Sequence, residues 1–179
     1  PNAKEILKKT RHLGVVSWHM LTGDNERVAL KVAKEVGFDN FKAGLKPQDK
    51  MLFIENFKKN NKGVLAMMGD GVNDAPALAA ADVGIAMGSI GTAVAMETAD
   101  VVLLTDDIGQ VPYLIELSQA TMVNIRTNII VSMTIVFGSV AASALGLFGP
   151  VIGAIMHEVA AVPVIANAAT LIGWKSKKL

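Results

Sequence analysis

Val64-Leu65-Ala66-Met67-Met68-Gly69-Asp70-Gly71-Val72-Asn73-Asp74-Ala75-Pro76 reads as an apolar strand running into a glycine turn and then a helix. Val64 to Met68 is fully apolar, the pattern of a strand buried on both faces. Asp70 and Asp74 stand four residues apart across the turn. Two carboxylates so placed can converge on one hard cation. Mg²⁺ takes oxygen ligands and keeps several waters, so one or two carboxylates and a phosphate suffice. The plainer alternative is a glycine-rich turn with a helix cap at Asn73 or Asp74.

Downstream, Ala75 to Ala81 reads as a short helix, Val83 to Met87 as a buried strand, Thr92 to Ala99 as a helix and Val101 to Leu104 as a strand. Upstream, the spacing predicts a helix from about Pro47 to Lys59, with Pro47 in its first turn and Met51, Leu52, Ile54 and Phe57 as core contacts. Phe41 to Ala43 reads as a short strand. Asn25 to Val36 has helical spacing and a C-terminal stop at Gly37. Val15 to Leu21 reads as a strand and residues 2–13 as a helix. Alternating strands and helices predict a parallel sheet covered on both faces.

The last third of the chain is written for another solvent. The chain of 179 residues is 51% hydrophobic and 18% charged. Residues 1–128 hold 14 of the 17 Lys and Arg and 15 of the 16 Asp and Glu; between Arg126 and Lys175 the only formal charge is Glu158. Ile129 to Phe148 is 20 uncharged residues, long enough to cross a bilayer. Gly149-Pro150 interrupts it, and Val151 to Trp174 is a second apolar stretch. The alternative is a buried helical hairpin of a soluble protein. Lys175, Lys177 and Lys178 follow the second stretch, and the hairpin tip carries no Lys or Arg, so the soluble half and the C-terminus are expected on the cytoplasmic side of a plasma (inner) membrane. Val111 to Arg126 runs straight into the first span, where a continuous helix would couple the two halves mechanically. The expected organisation is a soluble domain over 1–118, a connecting helix over 119–128, spans at 129–148 and 151–174, and a basic tail over 175–179.

Composition excludes several classes. A net charge of +1 argues against a nucleic-acid binder, which would show a basic face. Without cysteine there is no disulfide and no thiolate metal site in this chain. Pro1 to Leu13 is charged and amphipathic, so no leader peptide is expected there.

Ligands of an open parallel sheet bind beyond the carboxyl ends of its strands. Thr22-Gly23-Asp24 follows one strand, where a hydroxyl and close backbone N–H groups can hold a phosphate oxygen; alone, such a tripeptide is more often a turn. Lys50, in Lys46-Pro47-Gln48-Asp49-Lys50, falls in the first turn of its helix, within reach of an anion at the strand ends. The plainer reading is a solvated lysine.

Taken together, Met20 to Asn25, Lys46 to Lys50 and Met68 to Pro76 resemble the phosphorylation domain of P-type cation-transporting ATPases, of the haloacid-dehalogenase-like superfamily. The resemblance covers essentially the whole chain. It implies a partial Rossmann-like α/β domain followed by a two-helix transmembrane hairpin. It also implies a reaction in which an aspartate takes the γ-phosphate of ATP and is then hydrolysed. By this resemblance Asp70 is the Mg²⁺ ligand, and Asn73 and Asp74 help hold the phosphate and the metal's water shell. Thr22 and Gly23 bind phosphate oxygens and Lys50 neutralises developing charge. The family's nucleophile lies in an Asp-Lys-Thr-Gly-Thr motif that this chain does not contain. The nucleotide-binding and actuator domains are missing too. The chain therefore resembles the C-terminal portion of a pump, to be completed by an N-terminal portion in the same or a separate polypeptide, and is expected to be inactive alone.

Two spans after the soluble domain resemble the transition-metal group of these pumps. His157 and Glu158 are an ionisable pair inside a span, costly there and usually functional. Imidazole with carboxylate suits Zn²⁺, Co²⁺, Ni²⁺ or Fe²⁺ better than alkali ions, and Zn²⁺ or Co²⁺ is the expected cargo. A protonated or structurally paired Glu158 is the alternative. His157-Glu158 resembles a His-Glu pair in the last helix of one metal-pump subgroup, but Val159-Ala160-Ala161 departs from that subgroup's Gly and small hydroxyl residue. Asn167 lies ten residues on, roughly 80° around an ideal helix, with Pro163 between them. Gly138, Ala142 and Gly146 form a small-residue stripe suited to helix packing. The alternative function is a non-catalytic Mg²⁺- or phosphate-binding membrane subunit that completes or regulates another pump; a stand-alone phosphatase fits less well.

Overall fold

The computed structural model describes residues 3–70, 73–88 and 97–176. It divides into two compact units, Pro1–Pro112 and Tyr113–Leu179. The first is α/β. Its elements are α1 (Ala3–His12), β1 (His19–Leu21), α2 (Glu26–Val36), β2 (Asn40–Lys42), α3 (Pro47–Asn60), β3 (Ala66–Gly69), α4 (Ala75–Ala80), β4 (Val83–Met87) and β5 (Val101–Leu103). The helix expected over Thr92–Ala99 lies mostly outside the described residues; Glu97 and Thr98 within it are helical.

Every strand pairing is parallel, as the alternation requires, but the single sheet expected from it is two: β1–β2, and β3–β4–β5. Among the described residues β1 and β3 each pair along one edge only. Helix α3 packs toward both. Its Phe57 meets the His19 ring of β1 edge-on at 4.9 Å, and its Ile54 joins Met67, Ala77, Leu78 and Ala86 in the core. Leu21 of β1 packs against that same core.

Strands β1 and β3 start later than their apolar runs, and one device accounts for it. Asp39, Asp82 and Asp100 stand immediately before β2, β4 and β5. Each carboxylate accepts a backbone N–H from the neighbouring strand's start: Trp18 at 2.7 Å, Leu65 at 2.9 Å and Gly84 at 2.8 Å. Each aspartate returns its own backbone N–H to that residue's carbonyl, at 2.9 Å in all three cases. A parallel ladder leaves groups unpaired at its start, and a buried or bridged backbone group needs a partner. The aspartates supply it, so the ladder opens at His19 rather than Val15 and at Ala66 rather than Val64. Arg11 adds a 2.9 Å bond to Asp39 and ties α1 to this corner. Thr10, fully buried, accepts the Trp18 indole N–H at 3.0 Å.

Helix termini follow local chemistry. Asn25 is the N-cap of α2, accepting the Val28 N–H at 3.0 Å, and Gly37 ends it at φ +91°. Asp49 accepts the Lys46 backbone N–H at 2.9 Å, capping α3 behind Pro47.

The second unit carries α5 (Gln110–Ala144), α6 (Pro150–Val159) and α7 (Ala161–Ala169). Helix α5 is unbroken over 35 residues, about 52 Å at 1.5 Å per residue. It ends four residues before Phe148, because Gly146 takes φ +75° and the N–H groups of Gly146 and Leu147 return to Ser143 and Ala142. The second apolar stretch is not one helix. Pro163 has no N–H to offer the Val159 carbonyl, and the helix breaks at Ala160. Two stretches are long and apolar enough to cross a membrane, Gln110–Ala144 and, taken across the break, Val151–Ala169, and among the described residues none of either apolar window is buried within the chain. A soluble core hairpin would bury that surface. Among the described residues nothing lies within 4 Å of a Cβ placed on Gly138 or Gly146 of the small-residue stripe.

The strand-start aspartates give two expectations. Asp100→Ala removes a charge-assisted bond at the start of β5 and should lower unfolding stability by about 1 kcal/mol. The Asp39 carboxyl is held below the ordinary value of 3.8 by the Trp18 N–H and then by Arg11, against an opposing effect of burial. The Asp82 carboxyl is lowered by Lys58 and then by the Leu65 N–H. Depressed carboxylates stabilise the fold above the unfolded pKa, and that contribution is lost as pH falls through the folded value. Denaturation followed below pH 4 should therefore fall off less steeply in Asp39→Asn/Asp82→Asn than in the parent.

Candidate functional site

The site begins at the carboxyl end of β3. A Cβ on Gly69 would lie 2.5 Å from Oδ2 of Asp74, so only glycine lets the Asp74 carboxylate rest on the strand end. Asp74 precedes α4 but makes no capping bond there. Its Oδ1 instead accepts Lys50 Nζ at 2.6 Å, 24 residues away in sequence. Both side chains are largely buried. The helix-cap alternative for Asp74 therefore does not describe its carboxylate, and Lys50 is not a solvated lysine. A charged pair out of water persists only where geometry and further bonds offset desolvation.

Asp70 follows β3 directly and is exposed, as is Asn73; Gly71 and Val72 between them lie outside the described residues. Thr22, Gly23 and Asp24 follow β1. The Thr22 hydroxyl donates to Asp24 Oδ2 at 2.9 Å and accepts the Asp24 N–H at 3.1 Å. Leu45 donates its N–H to the Thr22 carbonyl at 3.0 Å, and Gly44 to the Asp24 carbonyl at 2.8 Å. Gly44 does this at φ +66°. The loop of Thr22 is thereby bonded to the segment that launches α3, and α3 carries Lys50 to Asp74. The three motifs form one chain of contacts: Thr22–Asp24, then Gly44–Leu45, then Lys50, then Asp74 over Gly69.

Two contributors escaped the sequence reading. Asp49 fixes the first turn of α3 and thus the height of Lys50; an acid three residues after the residue preceding Pro47 was the available signal. Gly44 makes the turn that meets Asp24, and only its position ahead of Pro47 hinted at it.

Asp70 and Asp74 are the carboxylates available for Mg²⁺, and hard oxygen donors beside an ammonium fit a cation completed by phosphate and water. Among the described residues no three His, Asp or Glu side chains gather into a closed metal cage. In the second unit, Glu158 and the backbone of His157 lie in the last turn of α6, just before the break. Glu158 is exposed on the chain's surface. The side chain of His157 lies outside the described residues. Asn167 sits on α7, across the break, so a single-helix angle between it and His157 does not apply.

The haloacid dehalogenase-like hydrolase family matches residues 1–82. Over 175 residues the chain is 42% identical to a manganese-exporting P-type ATPase of Mycobacterium leprae, covering 98% of this chain and 24% of that protein. It is 48% identical over 136 residues to a probable cadmium-transporting ATPase of Alkalihalophilus pseudofirmus, covering 76% of this chain and 19% of the relative. The crystal structure of a zinc-transporting PIB-type ATPase superimposes with a TM-score of 0.82 at 41% identity, over 95% of this chain and 27% of that one. The chain thus spans about a quarter of the length of the curated relatives it matches. With its α/β unit, its two apolar helices and this likeness along nearly its whole length, the chain belongs with the metal-transporting P-type ATPases.

Proposed function

We propose that this chain is the C-terminal portion of an ATP-driven transition-metal pump, contributing the Mg²⁺ and phosphate half of the phosphorylation site and part of the membrane transport site. The observation that carries the reading is the 2.6 Å contact between Lys50 and Asp74, which joins two motifs at the strand ends as a phosphate site requires. When phosphate binds, the Thr22 hydroxyl turns its one proton from Asp24 Oδ2 to a phosphoryl oxygen, and Gly23 donates its backbone N–H. Lys50 neutralises charge as it develops on the transferred group, and Asn73 and Asp74 fix the phosphate's surroundings. Asp24 orients Thr22 through its backbone N–H, which donates to the hydroxyl oxygen at 3.1 Å and leaves the hydroxyl proton available. Asp70, with Asp74, would hold Mg²⁺, which would supply positive charge against the phosphate. Such sites act by positioning and electrostatics.

The nucleophilic carboxylate comes from outside these 179 residues, since no Asp-Lys-Thr-Gly-Thr segment occurs among them. ATP is presented by a nucleotide-binding domain of that other portion. In the membrane, His157 and Glu158 contribute ligands to the transported cation. Relatives named for manganese, zinc, cadmium and copper frame the choice, and the nitrogen–oxygen pair favours Zn²⁺ or Co²⁺ over Cu⁺. The soluble unit and the C-terminus face the cytoplasm, with the hairpin in the plasma (inner) membrane.

In the full-length protein that contains this chain, Asp70→Ala should reduce metal-stimulated ATP hydrolysis to background, and Lys50→Ala should lower kcat by about 100- to 1000-fold. Hydrolysis assayed across Zn²⁺, Co²⁺, Ni²⁺, Cu⁺ and K⁺ should respond to Zn²⁺ or Co²⁺. An unchanged metal dependence in His157→Ala and Glu158→Ala would remove the transport-site assignment, and phosphate incorporation from ATP by this chain alone would overturn the half-site reading. Gly69→Ala should displace Asp74 and cost about 1–3 kcal/mol of stability, whereas Gly63→Ala, with open space around it, should be near neutral in thermal denaturation.

A further inference from the structure

The two apolar segments are joined by a chain of amides that neither the phosphate site nor the His157–Glu158 pair uses. Asn124 and Asn128 lie four residues apart on α5, hence on one face. Asn128 Nδ2 donates to Asn124 Oδ1 at 3.0 Å. From α7, Asn167 Nδ2 donates to Asn128 Oδ1 at 2.8 Å. Asn124 Nδ2 donates back to the Asn167 carbonyl at 2.7 Å, an oxygen that also accepts the Thr170 hydroxyl at 2.6 Å. Asn124 is only 8% exposed. The contacts continue along α5 away from the apolar stretch: Tyr113 packs on Trp174 with ring centroids 5.5 Å apart, and the Ser176 hydroxyl donates to the Glu116 carboxylate.

Three features give this clasp a consequence. Helix α5 is continuous from Gln110 to Ala144, so a displacement at its start is carried along it. Among the described residues the clasp bonds α7, and not α6, to α5. The break at Ala160 separates the clasped α7 from α6, whose last turn holds His157 and Glu158. Amide bonds between helices in an apolar surrounding are directional and specify one register, where Leu-on-lipid contact specifies none.

We propose that Asn124, Asn128 and Asn167 are positioning residues that lock α7 to α5, so that movement of α5 is delivered at the Ala160 break to the residues holding the transported cation. The proposal rests on the pump reading above. The amides bind no cation themselves; they set where His157 and Glu158 sit as the phosphorylation domain changes state. Their loss uncouples hydrolysis from transport without removing either.

The test uses the full-length protein reconstituted in vesicles, with Zn²⁺ uptake and ATP hydrolysis measured together. Asn128→Leu and Asn167→Leu keep apolar volume and remove the bond. Each should lower the Zn²⁺ moved per ATP hydrolysed several-fold while leaving Zn²⁺ KM within about twofold, and the double variant should fall no further than Asn128→Leu alone, because Asn167→Leu deletes only the Asn128–Asn167 bond that Asn128→Leu removes together with its bond to Asn124. If the Leu variants do not fold, Asn128→Ser and Asn167→Ser, which shorten the side chain and keep it polar, carry the same expectation. An unchanged ratio, with uptake and hydrolysis falling together, reduces the clasp to a stability element and overturns the proposal. A rise in Zn²⁺ KM with additive effects makes the amides cation ligands and overturns it equally. Parent protein that shows no metal-stimulated hydrolysis defeats the pump reading instead, a separate outcome read before any variant is made.

Discussion

The carboxylate of Asp74 rests on Gly69 and against Lys50, and much of the soluble unit is arranged around that contact. A side chain at residue 69 would occupy the carboxylate's place. The ammonium reaches Asp74 only because α3 begins at Pro47, capped by Asp49, and the start of α3 is fixed in turn by Gly44 and Leu45 bonding to the Thr22–Asp24 loop. Beneath it, Ile54 of α3 and Leu78 of α4 share the core with Met67 of β3. A charged pair this little exposed brings no large stability of its own; removing one partner, however, leaves an unpaired buried charge, which is strongly destabilising. The arrangement holds two chemically active groups in fixed relation while the hydrophobic packing behind them supplies the stability.

The opposite ends of the strands are governed by a different rule. Asp39, Asp82 and Asp100 repeat one reciprocal bonding pattern at the starts of β2, β4 and β5. The carboxylate of Asp74, beyond the carboxyl end of β3, is used differently: it makes no capping bond and accepts Lys50 Nζ. The aspartates before β2, β4 and β5 set register, whereas Asp74, after β3, joins two distant motifs. Registering each strand at its start also fixes which residue emerges at its end, and so where Asp70 stands.

Much of this was legible before any coordinates. The apolar run Val83–Met87 coincides with β4, Gly37 stops α2, and Pro47 opens α3, because each signal is local: a buried run, a left-handed glycine, a fixed φ. Val15–Leu21 and Val64–Met68 overstated their strands because hydrophobicity does not reveal where an aspartate from a distant residue takes the first N–H. The division into two sheets was invisible for the same reason, since pairing is a non-local property. At the site, Lys50 and Asp74 were named from motif spacing, but their mutual contact depends on 24 intervening residues folding as they do. The end of the first apolar helix was misplaced by charge counting. Charge marks where a bilayer is tolerable, whereas Gly146 marks where the helix stops.

The two apolar segments also differ in a way composition does not show. One is a single helix of 35 residues; the other is broken by Pro163 into α6 and α7. A continuous helix moves as a rod, and a helix interrupted at a proline bends there at low cost. Proline in an apolar span is tolerated where neighbouring helices hold the pieces in place. Here the amides of Asn124, Asn128 and Asn167 hold one piece, α7, and among the described residues no equivalent polar bond ties α6 to α5. The piece on the other side of the break, α6, carries Glu158 and the backbone of His157. Rigidity in α5, a joint at Ala160 and a polar fastening on the far side of that joint are three separate sequence features. Together they place the joint of this hairpin beside its ionisable residues.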